Sequence, residues 1–182
     1  MKTIPCLVVI FLCLSIHAYS QNTKEYVCIP CGNSCDSQTS KSAGKCSGCG
    51  MKLVEKSTIH FKNLSVEEFC KSIVSHPDAL ILDVRSPAEF KGATQDIPSF
   101  GHFKNAININ ITELESRIGE IAAYKDKEVL VYCSHSHRSP QASYILSTNG
   151  FNTVSNMAGG VSTIAEKKND KLLKQTFMFH TH

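Results

Sequence analysis

Apolar and polar positions in this chain sort into three stretches. Residues 7–14 form one unbroken apolar run, with Lys2 before it and polar residues after it. Residues 26–56 carry few apolar side chains and are punctuated by cysteine and glycine. From residue 59 onward, short apolar runs alternate with amphipathic ones. There Ile59 and Phe61 alternate with polar neighbours, which predicts a strand or connector. Ser65-Val66-Glu67-Glu68 has the form of a capping box and predicts an amphipathic helix to residue 75. Residues 80–84 predict a buried strand ending in the charged pair Asp83 and Arg85, and Ser86-Pro87-Ala88-Glu89-Phe90 starts a helix with proline in its first turn. Residues 106–109 predict a short strand, and Thr112-Glu113-Leu114-Glu115 a second capping box. A strand at 128–132, a helix at 139–148 stopped by Gly150, a strand at 152–156 and a turn at Met157-Ala158-Gly159-Gly160 follow. Repeated strand–helix alternation predicts an α/β fold, a parallel sheet with helices on both faces.

Composition agrees with such a core and adds a destination. Hydrophobic residues are 42% and charged ones 19% of 182 residues, a globular balance sufficient for one ordinary domain and a small appendage. The net charge of +3 is too small to argue for nucleic acid. Lys167, Lys168, Lys171 and Lys174 read as the solvated face of a C-terminal helix, not a binding patch. The first apolar run has the make-up of a signal peptide: Lys2 supplies the positive region, and Ala18-Tyr19-Ser20 offers small residues where a signal peptidase reads. Cleavage after Ser20 is expected, with a periplasmic or secreted mature chain. The run is too short to span a bilayer well, so no stable membrane insertion is expected after cleavage. Lipid attachment at Cys13 is the lesser alternative, because bulky Leu12 stands where a lipoprotein signal wants a small residue. Cleavage removes Cys6 and Cys13 from a total of nine cysteines.

Of the rest, four fall as Cys28-x2-Cys31 and Cys46-x2-Cys49, each pair followed by glycine (Gly32, Gly50). A C-x-x-C turn turns two sulfurs to one side of a tight knuckle, and two facing knuckles offer four thiolates in a tetrahedron suited to structural Zn²⁺. Two disulfides in an oxidising compartment are the alternative. Cys35, in the polar loop between the knuckles, is a substitute ligand, a redox partner or a bystander. Residues 26–54 resemble the small heavy-metal-binding modules of bacterial exported and membrane metal proteins. The likeness is carried by Gly44-Lys45-Cys46-Ser47-Gly48-Cys49-Gly50-Met51-Lys52-Leu53. Where those modules carry Cys-Pro-Met-His, this chain has Cys28-Ile29-Pro30-Cys31, which implies a four-cysteine site.

The densest chemistry lies after the strand at 128–132. Cys133-Ser134-His135-Ser136-His137-Arg138-Ser139 delivers a thiol into a polar loop at the start of a helix. Loop N–H groups, the helix N-terminus and Arg138 all favour a thiolate there. In a parallel sheet, loops at the carboxyl ends of strands carry the reactive groups. Cys70, beside Phe69 and Ile73 on an apolar helix face, reads as a small buried hydrophobe.

Residues 80–164 resemble the rhodanese domain. The matching blocks are Asp83-Val84-Arg85-Ser86-Pro87-Ala88-Glu89-Phe90, Gly101-His102-Phe103-Lys104-Asn105-Ala106-Ile107-Asn108-Ile109, Val131-Tyr132-Cys133 through Arg138-Ser139, and Gly150-Phe151 with Met157-Ala158-Gly159-Gly160. The resemblance implies a sulfurtransferase whose Cys133 accepts a sulfane sulfur as a persulfide and passes it on. The implied donor is thiosulfate, a polysulfide or a low-molecular-weight persulfide, and the acceptor a thiol or protein. No catalytic cofactor is implied. Cys133 and Arg138 are the catalytic candidates. Ser134, His135, Ser136, His137 and Ser139 form the substrate-binding loop, and Asp83 and Arg85 support it through buried polar pairs. Six residues from Cys133 to Arg138 is the rhodanese loop size, whereas related phosphatases use one residue more. Rhodanese loops commonly have glycine where this chain has Ser136, and the histidine pair is unusual: His135 and His137 either bind an anionic donor and assist proton transfer or are exposed without a role. The domain organisation is then signal peptide 1–20, cysteine ribbon 26–56, rhodanese-like domain 59–170 and tail 171–182, with His180 and His182 at a frayed end. A binding or sensing module for sulfide, metal or oxidant, without turnover, is the alternative function.

Overall fold

The computed structural model describes residues 24–93, 100–167 and 169–180. The expected signal peptide, residues 1–20, lies outside the described residues, as do Lys168 and His182. Among the described residues no helix is long and apolar enough to cross a membrane.

The cysteine-rich stretch forms its own small sheet. Strands β1 (Tyr26–Cys28), β2 (Thr39–Ser40) and β3 (Leu53–Glu55) pair antiparallel in the order β2-β1-β3. With so few apolar side chains to bury, its core consists of Cys28, Cys31, Cys35, Cys46 and Met51.

The remaining chain continues through β4 (Phe61–Leu64), α1 (Val66–Ser75), β5 (Leu80–Asp83), α2 (Pro87–Lys91), β6 (His102–Phe103), β7 (Ile107–Asn108) and α3 (Leu114–Arg117). Then come β8 (Glu128–Tyr132), α4 (Arg138–Thr148), β9 (Thr153–Met157), α5 (Lys171–Thr176) and β10 (Phe177–Met178). Five strands form one sheet in the order β4-β9-β8-β5-β7, with every pairing parallel. The expected α/β fold is the one observed, and the sheet is apolar on both faces because both are covered. Along β5 and β8 successive side chains alternate between two cores. Leu80, Leu82, Val129 and Val131 pack with Leu114, Ala142 and Leu146 on one face. Ile81, Leu130 and Tyr132 pack with Phe69, Leu173 and Phe177 on the other.

The element ends show where local chemistry held and where it did not. At α1 the capping box is complete: the Glu68 N–H donates to Ser65 Oγ at 3.3 Å and the Ser65 N–H to Glu68 Oε2 at 2.8 Å. The box expected at Thr112 is absent. The Thr112 N–H donates to Asn110 Oδ1 at 3.1 Å, and α3 begins after Glu113 with no side-chain cap. Asn110 reaches the nearest N–H first and makes a local turn. Within residues 171–182, read as a tail, residues 171–178 form α5 and the strand β10, which pairs with β6, and Leu173 and Phe177 are buried.

Candidate active site and cysteine centre

The central strand β8 ends at Tyr132, and the next residue, Cys133, enters a six-residue loop that closes at Arg138, the first residue of α4. Cys133 is 1% exposed. Its Sγ accepts a hydrogen bond from the Ser139 hydroxyl at 3.2 Å, so the sulfur lies against the first turn of α4. The partial positive charge of that helix end therefore lies beside the sulfur.

One carboxylate, Glu89 of α2, holds the loop. Arg138 donates to it through both terminal nitrogens, Nη1 to Oε2 and Nη2 to Oε1, each at 2.7 Å. The Ser134 hydroxyl donates to Oε1 at 2.8 Å, and Arg138 Nη2 also donates to Ser134 Oγ at 3.1 Å. Burial works against a charge here, but the bonds from Arg138, Ser134 and Ser86 outweigh it and hold the Glu89 carboxyl well below its ordinary range. Sequence reasoning placed Glu89 in a helix start and gave it no role in the loop. The signal was Ser86-x-x-Glu89, a capping box: the Ser86 N–H donates to Oε2 at 3.0 Å, and the Glu89 N–H donates to Ser86 Oγ at 3.2 Å.

The turn after β9 supports the loop from behind. The Val161 N–H donates to the Cys133 carbonyl at 2.9 Å and the Ser162 N–H to the Ser134 carbonyl at 3.0 Å. Gly160 has φ 65°, and a Cβ there would stand 2.6 Å from the Cys133 carbonyl oxygen, so no larger residue fits unless the loop retreats. Ser136, where glycine was the expectation of the family pattern, has φ 63°. A serine in the left-handed region is strained, and its Oγ accepts a hydrogen bond from the Gly159 N–H, which ties the loop to this turn. His135 and His137 are both exposed. His135 stands edge-on to Phe100 at 6.0 Å, and His137 Nδ1 lies 3.1 Å from the His135 carbonyl.

Asp83 and Arg85 pair with each other, Nη2 to Oδ2 at 2.6 Å, and both are buried. Arg85 also donates to the Gly101 carbonyl at 2.8 Å and lies over the Tyr132 ring. The pair therefore fixes the ends of β5 and β8, and among the described residues it hydrogen-bonds to neither Cys133 nor Arg138. Cys70 is buried, burial pushes its thiol up, and it accepts from Thr176 Oγ1 at 3.3 Å. His180 Nε2 lies 3.2 Å from His102 Nδ1.

In the ribbon, four sulfurs converge: those of Cys28, Cys35, Cys46 and Cys49 lie within 4.8 Å of one another. Cys35 thus stands where the knuckle spacing expected Cys31. Gly48 permits this, because a Cβ there would come 2.9 Å from Cys35 Cβ. N–H groups of Cys49 and Gly48 lower the Cys46 thiol to about 7, whereas burial pushes Cys35 up to about 12. Cys31 turns aside: its Sγ donates to Asp36 Oδ1 at 3.4 Å and accepts from Asn33 Nδ2 at 3.1 Å. All seven described cysteines are unbridged. Four convergent, largely buried sulfurs fit a tetrahedral Zn²⁺.

Comparisons with known proteins match this geometry to a family. A model described as rhodanese-like domain matches residues 65–167. A curated relative, the tRNA uridine(34) hydroxylase of Escherichia coli O6:K15:H31, is 30% identical over 128 residues, covering 65% of this chain and 34% of that protein. This chain thus spans about a third of the length of the curated relatives it matches. Among solved structures, the reduced Bacillus anthracis CoADR-RHD is 25% identical with a TM-score of 0.50, over 66% of this chain and 18% of that one. The polysulfide-sulfur transferase homodimer of Wolinella succinogenes is 25% identical with a TM-score of 0.47, over 59% of this chain and 75% of that one.

Proposed function

This chain belongs to the rhodanese-like domain family, and from that premise we propose that it is a sulfurtransferase acting through Cys133. The Cys133 thiolate attacks the outer sulfur of a donor such as thiosulfate, a polysulfide or a small persulfide. The donor's S–S bond breaks, the remainder leaves with the bonding electron pair, and Cys133 carries the sulfur as a persulfide. A thiol or other thiophilic acceptor then attacks the terminal sulfur and regenerates the thiolate. Ser139 and the N-terminus of α4 stabilise the anionic sulfur. Arg138 is engaged by Glu89, so its part is to hold the loop's shape.

The observation that carries this reading is the closed six-residue loop, with its thiol against the first turn of α4 and its arginine clamped to Glu89. The make-up of residues 1–20 supports a site of action outside the cytoplasm. The four-sulfur ribbon supports a structural zinc that plays no part in the reaction. The RNA-directed activity in the curated relative's name is said of a protein of which this chain covers 34%, and nucleic acid is not part of the proposal.

Intact-protein mass after incubation with thiosulfate or polysulfide tests it. Reduced wild-type protein is expected to gain about 32 Da, one sulfur atom on the nucleophile. Cyanide or a thiol discharges the adduct, and Cys133→Ala never forms it. No adduct on protein verified as reduced overturns sulfur transfer and leaves a binding or sensing module.

A further inference from the structure

The ribbon holds more metal-binding groups than one tetrahedral ion uses. Cys28, Cys35, Cys46 and Cys49 make one set, while Cys31, Cys35 and Asp36 make a second whose ligand atoms also lie within 4.8 Å of one another. Cys35 belongs to both. We propose that the ribbon is a two-metal thiolate centre, in which Cys35 bridges the four-sulfur ion and a second thiophilic ion held by Cys31, Cys35 and Asp36. The inference rests on the reading of the ribbon as a metal centre.

The geometry of the second set is that of ligands on one ion. Asp36 Oδ1 lies 3.4 Å from Cys31 Sγ. An oxygen and a sulfur bound to one tetrahedral Zn²⁺ are about 3.5 Å apart, given bond lengths of about 2.0–2.2 and 2.3 Å. Here the thiol proton of Cys31 occupies that gap, and a cation takes its place by displacing it. The carboxylate is already aimed. Its other oxygen, Oδ2, accepts the N–H groups of Cys31 at 2.9 Å and Gly32 at 2.7 Å, which leaves Oδ1 for the ion. Asn33 Nδ2 donates to Cys31 Sγ at 3.1 Å and fixes where that sulfur lies beside Asp36.

The donor types define what binds. Two thiolates and one carboxylate select Zn²⁺, Cd²⁺ or Cu⁺ over Mg²⁺ and Ca²⁺. Three protein ligands leave a fourth position for water or a small anion, so the second site is open where the first is closed. Gly32, next to Cys31, lies close to the other module: a Cβ there would stand 3.7 Å from that of Ala158, in the turn that supports the Cys133 loop.

The test uses the full chain, reduced and loaded with ¹¹³Cd²⁺ in a Cys133→Ala background, so that the loop thiol takes no metal. Native mass spectrometry is expected to find two Cd²⁺ per chain. ¹¹³Cd NMR is expected to show two resonances, the four-sulfur one at lower field, split by coupling through the shared Cys35 sulfur. Cys31→Ser and Asp36→Asn are each expected to reduce the stoichiometry to one and keep the four-sulfur resonance. One Cd²⁺ per unmodified ribbon, with a single unsplit resonance, overturns the second site and leaves the first. No bound Cd²⁺ overturns the metal-centre reading itself.

Discussion

Glu89 bonds Arg138, Ser134 and Ser86, and each bond fixes a different part of the site. Arg138 sets where the loop ends, Ser134 fixes the residue after Cys133, and Ser86 sets the helix that carries the carboxylate. Replacing the charge weakens all three. Hydrogen bonds to charged groups contribute about 1.5–3 kcal/mol each. Glu89→Gln is therefore expected to lower stability by about that much and slow persulfide formation about tenfold, read by timed intact mass. The pH dependence follows from the same group. Its folded pKa is depressed, so its contribution is fully present above the ordinary glutamate value of about 4.3 and is lost as pH falls toward the folded value. Denaturant unfolding of wild type and Glu89→Gln should differ most near neutrality, and the difference should shrink progressively as pH falls below about 4.3. Equal differences at every pH would show that the charge does not contribute. Ser136 allows a second comparison at this scale. Ser136→Ala keeps the left-handed strain and loses the bond from Gly159, whereas Ser136→Gly loses the bond but relieves about 1–2 kcal/mol of strain. The alanine variant should be the less stable of the two in denaturant melts.

Two elements meet at the thiol, and their roles differ. The first turn of α4 supplies the electrostatics, through its N-terminus and Ser139. The turn after β9 supplies the shape, by accepting the loop's backbone at van der Waals limits. Gly160→Ala is accordingly expected to push the Cys133 and Ser134 carbonyls outward. The cost should be about 2–4 kcal/mol from overpacking and positive φ together, read as a lower denaturant midpoint with reduced persulfide loading. Unchanged loading would show that the loop is not shaped by this turn. Element boundaries were readable where the cap was local, as at Ser65, and misread at Thr112, where Asn110 competes for the same N–H.

At the scale of the whole molecule, the C-terminal segment completes one of the two cores. Leu173 and Phe177 are 1% and 2% exposed, and they pack against Phe69 and Phe103 beneath the sheet. Full burial of such side chains stabilises by about 1.5–3 kcal/mol each, against a total of about 5–15 kcal/mol for a typical domain. Truncation after Asp170 should thus remove about 3–6 kcal/mol and leave a protein that unfolds at much lower urea. A truncated chain as stable as the whole would show that the segment is dispensable. Thr58, in the connector after the ribbon, links the two modules: its Oγ1 donates to the Glu55 carbonyl at the end of β3 at 2.6 Å and lies 2.9 Å from the Tyr144 hydroxyl on α4.

By itself the amino-acid sequence determined what depends on neighbours in the chain. Period-two and helical patterns specify the strands and helices. A buried β-branched run ending in a polar loop specifies where Cys133 emerges, and paired C-x-x-C knuckles mark a cysteine centre. Tertiary structure alone decided what depends on distant residues. Glu89 and Arg138, 49 residues apart, meet because β5 and β8 are neighbours in the sheet and each delivers its loop to the same edge. Cys35 displaces Cys31 from the four-sulfur set because Gly48 lets its backbone approach, a matter of space that no spacing rule records. Residues 171–178 join the core because β6 presents an edge for β10 to pair with, and an unpaired strand edge is invisible until the sheet exists.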